Sequence, residues 1–197
     1  MIDIFTEQEE RIGIISKRQY YSLTCADKDI PWIKCVSCFV IDDANKKILW
    51  EKRGKRFLDP GKLDLCSGHV QSGEIPLQSM VRELIEELSI VENDSRNLQF
   101  LGKLKVDYTT LEDETNRKRL KALVSIYALR LRTVDQIQVD YREVIHKGFL
   151  DYKDTVGFIK NSMTRMPYER SLEPQYESVL KNLKEYMFPT KIVERIK

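Results

Sequence analysis

Histidine is nearly missing from this chain. His69 and His146 are the only two in 197 residues, too few for a metal centre built on imidazoles at sequence-visible spacing. Cysteine is sparse as well: Cys25, Cys35, Cys38 and Cys66 contain no second close pair to join Cys35 and Cys38 in a zinc site. Residues three apart on a strand also point to opposite faces, so free, buried thiols in a reducing compartment fit the pattern better. No apolar run approaches a membrane span, and the first ten residues are acidic where a signal peptide is basic and then apolar. A soluble, cytoplasmic protein is expected, with no membrane partner. Charge of one sign is lacking too, since a net +2 is too little for a nucleic-acid coat.

Linkers and low-complexity stretches are also missing. With 42% hydrophobic residues, residues 1–197 are read as a single domain with a core of its own.

The chain does carry a glycine-rich turn followed by a strongly patterned helix at 68–90. Pro76 suits a first helical position, and Leu77, Met80, Val81, Leu84, Ile85 and Leu88 recur at helical spacing as one apolar stripe. At roughly 100° per residue, Glu83, Glu86 and Glu87 fall together in an arc away from that stripe, and this predicts that all three look outward. Like charges so close repel unless a cation joins them, and hard oxygen ligands suit Mg²⁺ or Mn²⁺. The alternative is a solvated acidic face.

The wider spacing weighs against that alternative. Gly68, five residues, Glu74, seven residues, Arg82, Glu83, Leu84, one residue, Glu86, Glu87, two residues and Ile90 form one continuous pattern. It resembles the box of the Nudix hydrolase superfamily, and it departs from the box at one position, where the usual glycine after the helix is Ser89. Serine is less comfortable than glycine in a left-handed cap, so an altered helix exit is expected.

The resemblance implies a Nudix-type α/β/α sandwich with a mixed central sheet, a catalytic loop-helix and a C-terminal helix. It further implies Mg²⁺-dependent hydrolysis of a diphosphate linked to another moiety, often a nucleoside, with Mn²⁺ as a substitute ion. Glu83, Glu86 and Glu87 would hold the metal, with the Gly68 carbonyl as an extra ligand. Glu83, Glu87 and Arg82 form the expected catalytic set, in which Arg82 and Glu74 orient the loop and helix through an ion pair. The general base is a box glutamate or a loop carboxylate among Glu112, Asp113 and Glu114.

Flanking segments extend the picture. Residues 33–42 and 48–53 read as strands around a polar turn, and 98–107 and 122–132 read as two more, joined by a charged loop. Ile2 to Phe5 and Ile12 to Ile15 suggest an N-terminal β-hairpin within 1–30. Such an opening resembles the isopentenyl-diphosphate isomerase-like branch of the superfamily. Tyr176, Val179, Leu180, Leu183 and Met187 predict a terminal helix packed on the sheet.

Basic residues gather at Lys52, Arg53, Lys55 and Arg56 and again at Arg117, Lys118, Arg119 and Lys121. Lys52, Arg53 and His69 are the expected contacts for a polyphosphate, against an ordinary reading as solvated or structural residues. Tyr108, Tyr127, Trp32 and Trp50 are either base-stacking residues or core. An RNA 5′ end stays within the substrate range, and a homodimer through the N-terminal hairpin is compatible with the pattern.

Two other readings stand beside hydrolysis. An isomerase of that branch places its cysteine directly before the Gly-His pair, whereas here Ser67 separates Cys66 from Gly68, and the upstream histidines are lacking. A nucleotide-binding domain without turnover is the other, and the intact Glu83, Glu86 and Glu87 argue against it.

Overall fold

In the computed structural model, the described residues are 1–23, 30–54, 61–91, 95, 97–111, 117–135, 137–140, 144–165 and 173–189. An N-terminal hairpin of β1 (Ile2–Phe5) and β2 (Arg11–Ile15) leads to a short helix α1 (Lys17–Ser22). Next come β3 (Trp32–Asp42), β4 (Lys47–Arg53), β5 (Leu63–Asp64), β6 (Cys66–His69) and helix α2 (Pro76–Leu88). The chain continues through β7 (Gln99–Leu111), β8 (Arg117–Leu131), β9 (Val144–Asp151), α3 (Tyr152–Arg165) and α4 (Glu173–Met187).

Strand β3 organises the sheet. One of its sides pairs along its length with β8, in parallel, from Ile33↔Ala122 to Asp42↔Leu131. The other side is shared by three antiparallel strands in succession: β1 at Trp32 and Ile33, β6 at Cys35 to Cys38, and β4 at Ile41 and Asp42. β7 adds to β8, β2 to β1, and β5 and β9 to β4, all antiparallel. The sheet is therefore mixed.

Alternation along β3 sorts the core into two layers. Val36, Cys38 and Val40 pack with Met80, Leu84 and Leu88 of α2, while Ile33, Phe39 and Ile41 pack with Ile159 of α3 and Val179, Leu180, Leu183 and Met187 of α4. Helices cover both faces, which gives the expected sandwich. Cys35 and Cys38 fall on opposite faces and, with Cys66, are free thiols.

The hairpin, the β3–β4 turn, the β7–β8 pair and the terminal helix lie where the sequence pattern predicts. It predicts nothing for α1, β9 or α3. Trp50 and Tyr127 are core residues: Trp50 stacks edge-on with Phe158 and donates to Thr155 Oγ1 at 3.2 Å, and Tyr127 meets Phe100. Trp32 is 7% exposed, beneath Lys105 and Lys121. None of these three rings is open to a base, and the Tyr108 side chain lies outside the described residues. No helix among the described residues is long and apolar enough to cross a membrane.

Candidate metal and catalytic site

α2 begins where Pro76 occupies its first turn and Gln78 Oε1 accepts the Ile75 N–H at 3.1 Å. It ends at Ser89, which adopts the left-handed conformation (φ 54°, ψ 28°), with Ser89 N–H bonded to Ile85 O and Ile90 N–H to Leu84 O at 3.1 Å. The expected altered exit does not occur: serine takes the glycine geometry and bears its steric cost.

The buried arc of α2 is rotated from the predicted stripe. Met80, Leu84 and Leu88 are fully buried, but Leu77 and Ile85 are each 44% exposed. In their place the interior receives Glu83, 5% exposed, and Glu87, 8% exposed. Only Glu86 looks outward, its side chain 56% exposed. The prediction that the three carboxylates share an outward face is thus corrected: two turn toward β6, because the backbone there leaves room and supplies donors.

Gly68 makes the room. A Cβ built on it would come within 2.0 Å of Glu83 Oε1, so any side chain at 68 would occupy the place of that carboxylate. The donor is the next-door backbone: Ser67 N–H reaches Glu87 Oε2 at 3.1 Å.

Arg82 ties the elements together. Its Nε and Nη2 donate to Glu74 Oε1 and Oε2 at 3.0 and 3.1 Å, Nη1 to Glu83 Oε1 at 2.6 Å and Glu86 Oε2 at 3.2 Å, and Nη2 also to His69 O at 2.9 Å. That accounts for all five guanidinium donors. Glu74 Oε2 additionally accepts Ser79 Oγ–H at 2.5 Å and Gln71 N–H at 3.2 Å. This bonding, led by Arg82, holds the Glu74 carboxyl down at about 2. The expected Glu74–Arg82 ion pair is present.

Burial has the opposite effect on the inward pair. Desolvation raises the Glu83 carboxyl despite Arg82, and it holds Glu87 far above the usual carboxylate range, helped by the nearby charge of Glu51. Glu51, on β4, is 4% exposed and was not foreseen. The signal was a lone acid among Ile48, Leu49 and Trp50, every one of them buried. One carboxylate oxygen each from Glu51 and Glu87 and the Cys66 sulfur lie within 4.8 Å of one another.

Other predicted residues divide. Arg53 forms an ion pair with Asp64, and its charge acts on His69, but Lys52 is exposed to solvent. His69 Nε2 meets the Tyr21 hydroxyl at 2.6 Å, and burial depresses its ring to about 3, so near neutral pH it is an uncharged imidazole, not a cation for phosphate. Tyr21 belongs to α1, so the N-terminal segment reaches the site. Arg119 is engaged by Asp107 through bonds of 2.7 and 2.6 Å. Lys55, Arg56, Glu112, Asp113 and Glu114 lie outside the described residues, as do the side chains of Arg117 and Lys118.

Fold and site together define a mixed-sheet sandwich in which one helix presents buried glutamates to a glycine strand beside it. The chain belongs to the Nudix family: the NUDIX domain model matches residues 32–156. Solved structures of similar fold include DR0079 from Deinococcus radiodurans, 22% identical over 81% of this chain and 88% of that one, with a TM-score of 0.58. The NUDIX domain of Shewanella oneidensis NrtR, complexed with ADP ribose, is 14% identical over 86% and 99%, with a TM-score of 0.51. The MutT protein from Methanosarcina mazei Go1 is 18% identical over 64% and 81%, with a TM-score of 0.50. No curated protein sequence matches.

Proposed function

We propose that this Nudix protein is a Mg²⁺-dependent pyrophosphohydrolase that cleaves a nucleoside diphosphate linked to another moiety, by attack of water on phosphorus. The observation that carries this reading is the burial of Glu83 and Glu87 side by side against the Gly68 strand. Two desolvated carboxylates so placed are unfavourable alone and favourable around a divalent cation. The ADP ribose bound by the NrtR Nudix domain supports a nucleotide-linked substrate.

Glu83, Glu87 and the Gly68 carbonyl would hold the ion, with Glu86 at the rim where a substrate-borne ion would meet it. A hard-oxygen set fits Mg²⁺, with Mn²⁺ as substitute. The bound ion would neutralise phosphate charge and acidify water. Arg82 keeps Glu83 and Glu86 aimed, and Glu74 fixes Arg82. Glu87 or Glu83 takes the proton from the attacking water; Glu112, Asp113 and Glu114 are the alternative bases. Arg53, whose charge acts on His69, would meet the outer phosphates, and Lys52 lies nearer solvent.

The isomerase reading loses ground on one observation. Ser67, which takes the place of that enzyme's cysteine, turns its hydroxyl to Asp64 Oδ2 at 3.3 Å.

The test is product formation by wild-type and Glu87→Gln protein with nucleoside triphosphates, nucleotide sugars, dinucleoside polyphosphates, capped RNA and isopentenyl diphosphate, in Mg²⁺ and then Mn²⁺. Cleavage that falls at least about 100-fold in Glu87→Gln is expected. Metal-dependent nucleotide binding with no product across the panel would replace the enzyme with a binding module. Conversion of isopentenyl diphosphate to its isomer would replace hydrolase with isomerase.

A further inference from the structure

The hard-oxygen site described above has a second wall that the box does not supply. Cys66 and Gly68 are two apart on β6 and therefore share a face, so the Cys66 thiol points to α2 as Gly68 does. There the thiol hydrogen-bonds the Glu87 carboxylate. Glu51 enters from β4 on the same side. Cys66, Glu51 and Glu87 are each more than nine-tenths buried and come from a strand, a second strand and a helix that the sheet and core hold fixed. Behind Cys66 stands Cys38, its direct partner in the β3–β6 register and a member of the same core layer.

The chemistry of this donor set differs from that of Glu83, Glu86 and Glu87. Carboxylates and carbonyls suit Mg²⁺, but a thiolate with two carboxylates suits a softer ion. A tetrahedral ion with bonds of about 2.0–2.3 Å keeps its donors about 3.5 Å apart. The three atoms, already within 4.8 Å, need only small side-chain rotations to reach that spacing.

We propose that Glu51 and Cys66 extend the Nudix carboxylate site into a mixed sulfur–oxygen site for a thiophilic divalent ion such as Zn²⁺ or Co²⁺, with Glu87 shared between the two. The inference rests on the metal-binding role of Glu87 in the proposed function. The ion displaces the Cys66 proton to solvent and bonds the thiolate. Because Glu87 serves both ions, Zn²⁺ in this site competes with the hydrolytic Mg²⁺, and the enzyme is zinc-inhibited.

Titration of metal-free wild-type protein with Co²⁺ tests this without turnover. A near-ultraviolet thiolate-to-cobalt charge-transfer band is expected, bleached by Zn²⁺. It should vanish in Cys66→Ser and persist in Cys35→Ser, whose side chain lies on the opposite face of β3. Glu51→Gln should bind Co²⁺ about 10–100-fold more weakly. Saturating Co²⁺ with no band in wild-type protein overturns the proposal regardless of the variants. So does a band that survives Cys66→Ser in folded protein. Where Cys66→Ser does not fold, an unchanged Co²⁺ affinity in Glu51→Gln overturns it. Mg²⁺-dependent hydrolysis without the band sinks this inference alone, whereas the band without hydrolysis sinks the enzyme reading and leaves this site standing.

Discussion

Gly68 and Glu83 occupy one space: a Cβ on the glycine would come within 2.0 Å of the glutamate's Oε1. The glycine is not needed here for backbone freedom, since Gly68 is a strand residue paired with Val36. It is needed so that a carboxylate can lie against its Cα.

Gly68→Ala should therefore push Glu83 out of place while leaving the β3–β6 ladder paired. Divalent-ion affinity is expected to fall about 10–100-fold, the range for a ligand whose support is lost. Isothermal titration with Mn²⁺, set beside circular dichroism, checks it: unchanged affinity in a folded variant would contradict the geometry.

Glu87 makes the metal-free protein sensitive to alkali. Its carboxyl is raised in the fold above its ordinary value of 4.5, so the folded state binds more protons than the unfolded one above that pH. The stabilising contribution is whole below pH 4.5 and is lost as pH rises toward the folded value. With chelator present, Tm should fall across the neutral range, and Glu87→Gln should flatten that fall. Saturating Mg²⁺ should flatten it as well. A wild-type Tm in chelator that does not fall with rising pH would refute this.

Glu74 has the opposite sign. Arg82 and its other donors lower it from 4.5 to about 2, so its contribution is present above pH 4.5 and lost as pH falls toward 2. Glu74→Gln should lower stability near pH 7 by about 2 kcal/mol and should reduce the acid sensitivity of denaturant midpoints. Equal midpoints for variant and wild type at pH 7 would show that the ion pair contributes nothing.

Ser89→Gly should stabilise the protein by about 1 kcal/mol, because glycine reaches φ 54° without the steric cost that serine bears. Glycine's extra freedom in the unfolded chain limits the gain. Urea midpoints of variant and parent decide it, and a lower midpoint in the variant would show that the serine side chain has a compensating role.

The box was legible because its residues lie in one continuous stretch with a fixed period. The direction in which its glutamates face was not. Helical periodicity separates apolar from charged positions, and it predicts that Glu83 and Glu87 avoid the interior; the strand that admits them is a tertiary partner that a helix plot does not contain. Glu51 was missed for the same reason, since its neighbour Glu87 is remote in sequence and they meet only through β4 and α2. Helix α1 did leave a local trace. Ser16 and Gln19 form a reciprocal capping box, with Gln19 N–H to Ser16 Oγ and Ser16 N–H to Gln19 Oε1, both at 3.1 Å. That trace identifies a helix start, but nothing local says that Tyr21 will reach His69.

The parallel pairing of β3 with β8 sets an order of events in synthesis. It joins residues roughly ninety positions apart, Ile33 with Ala122 at one end, so loop closure comes before the reward of contact. A nascent chain that has not yet emitted β8 holds every box residue, yet its organising strand has one side unpaired and its core layers are open. Completion of the candidate metal site is thus timed by a segment that lies outside the box, and a ribosome-stalled chain ending before Arg117 should remain protease-sensitive and unable to retain Mn²⁺.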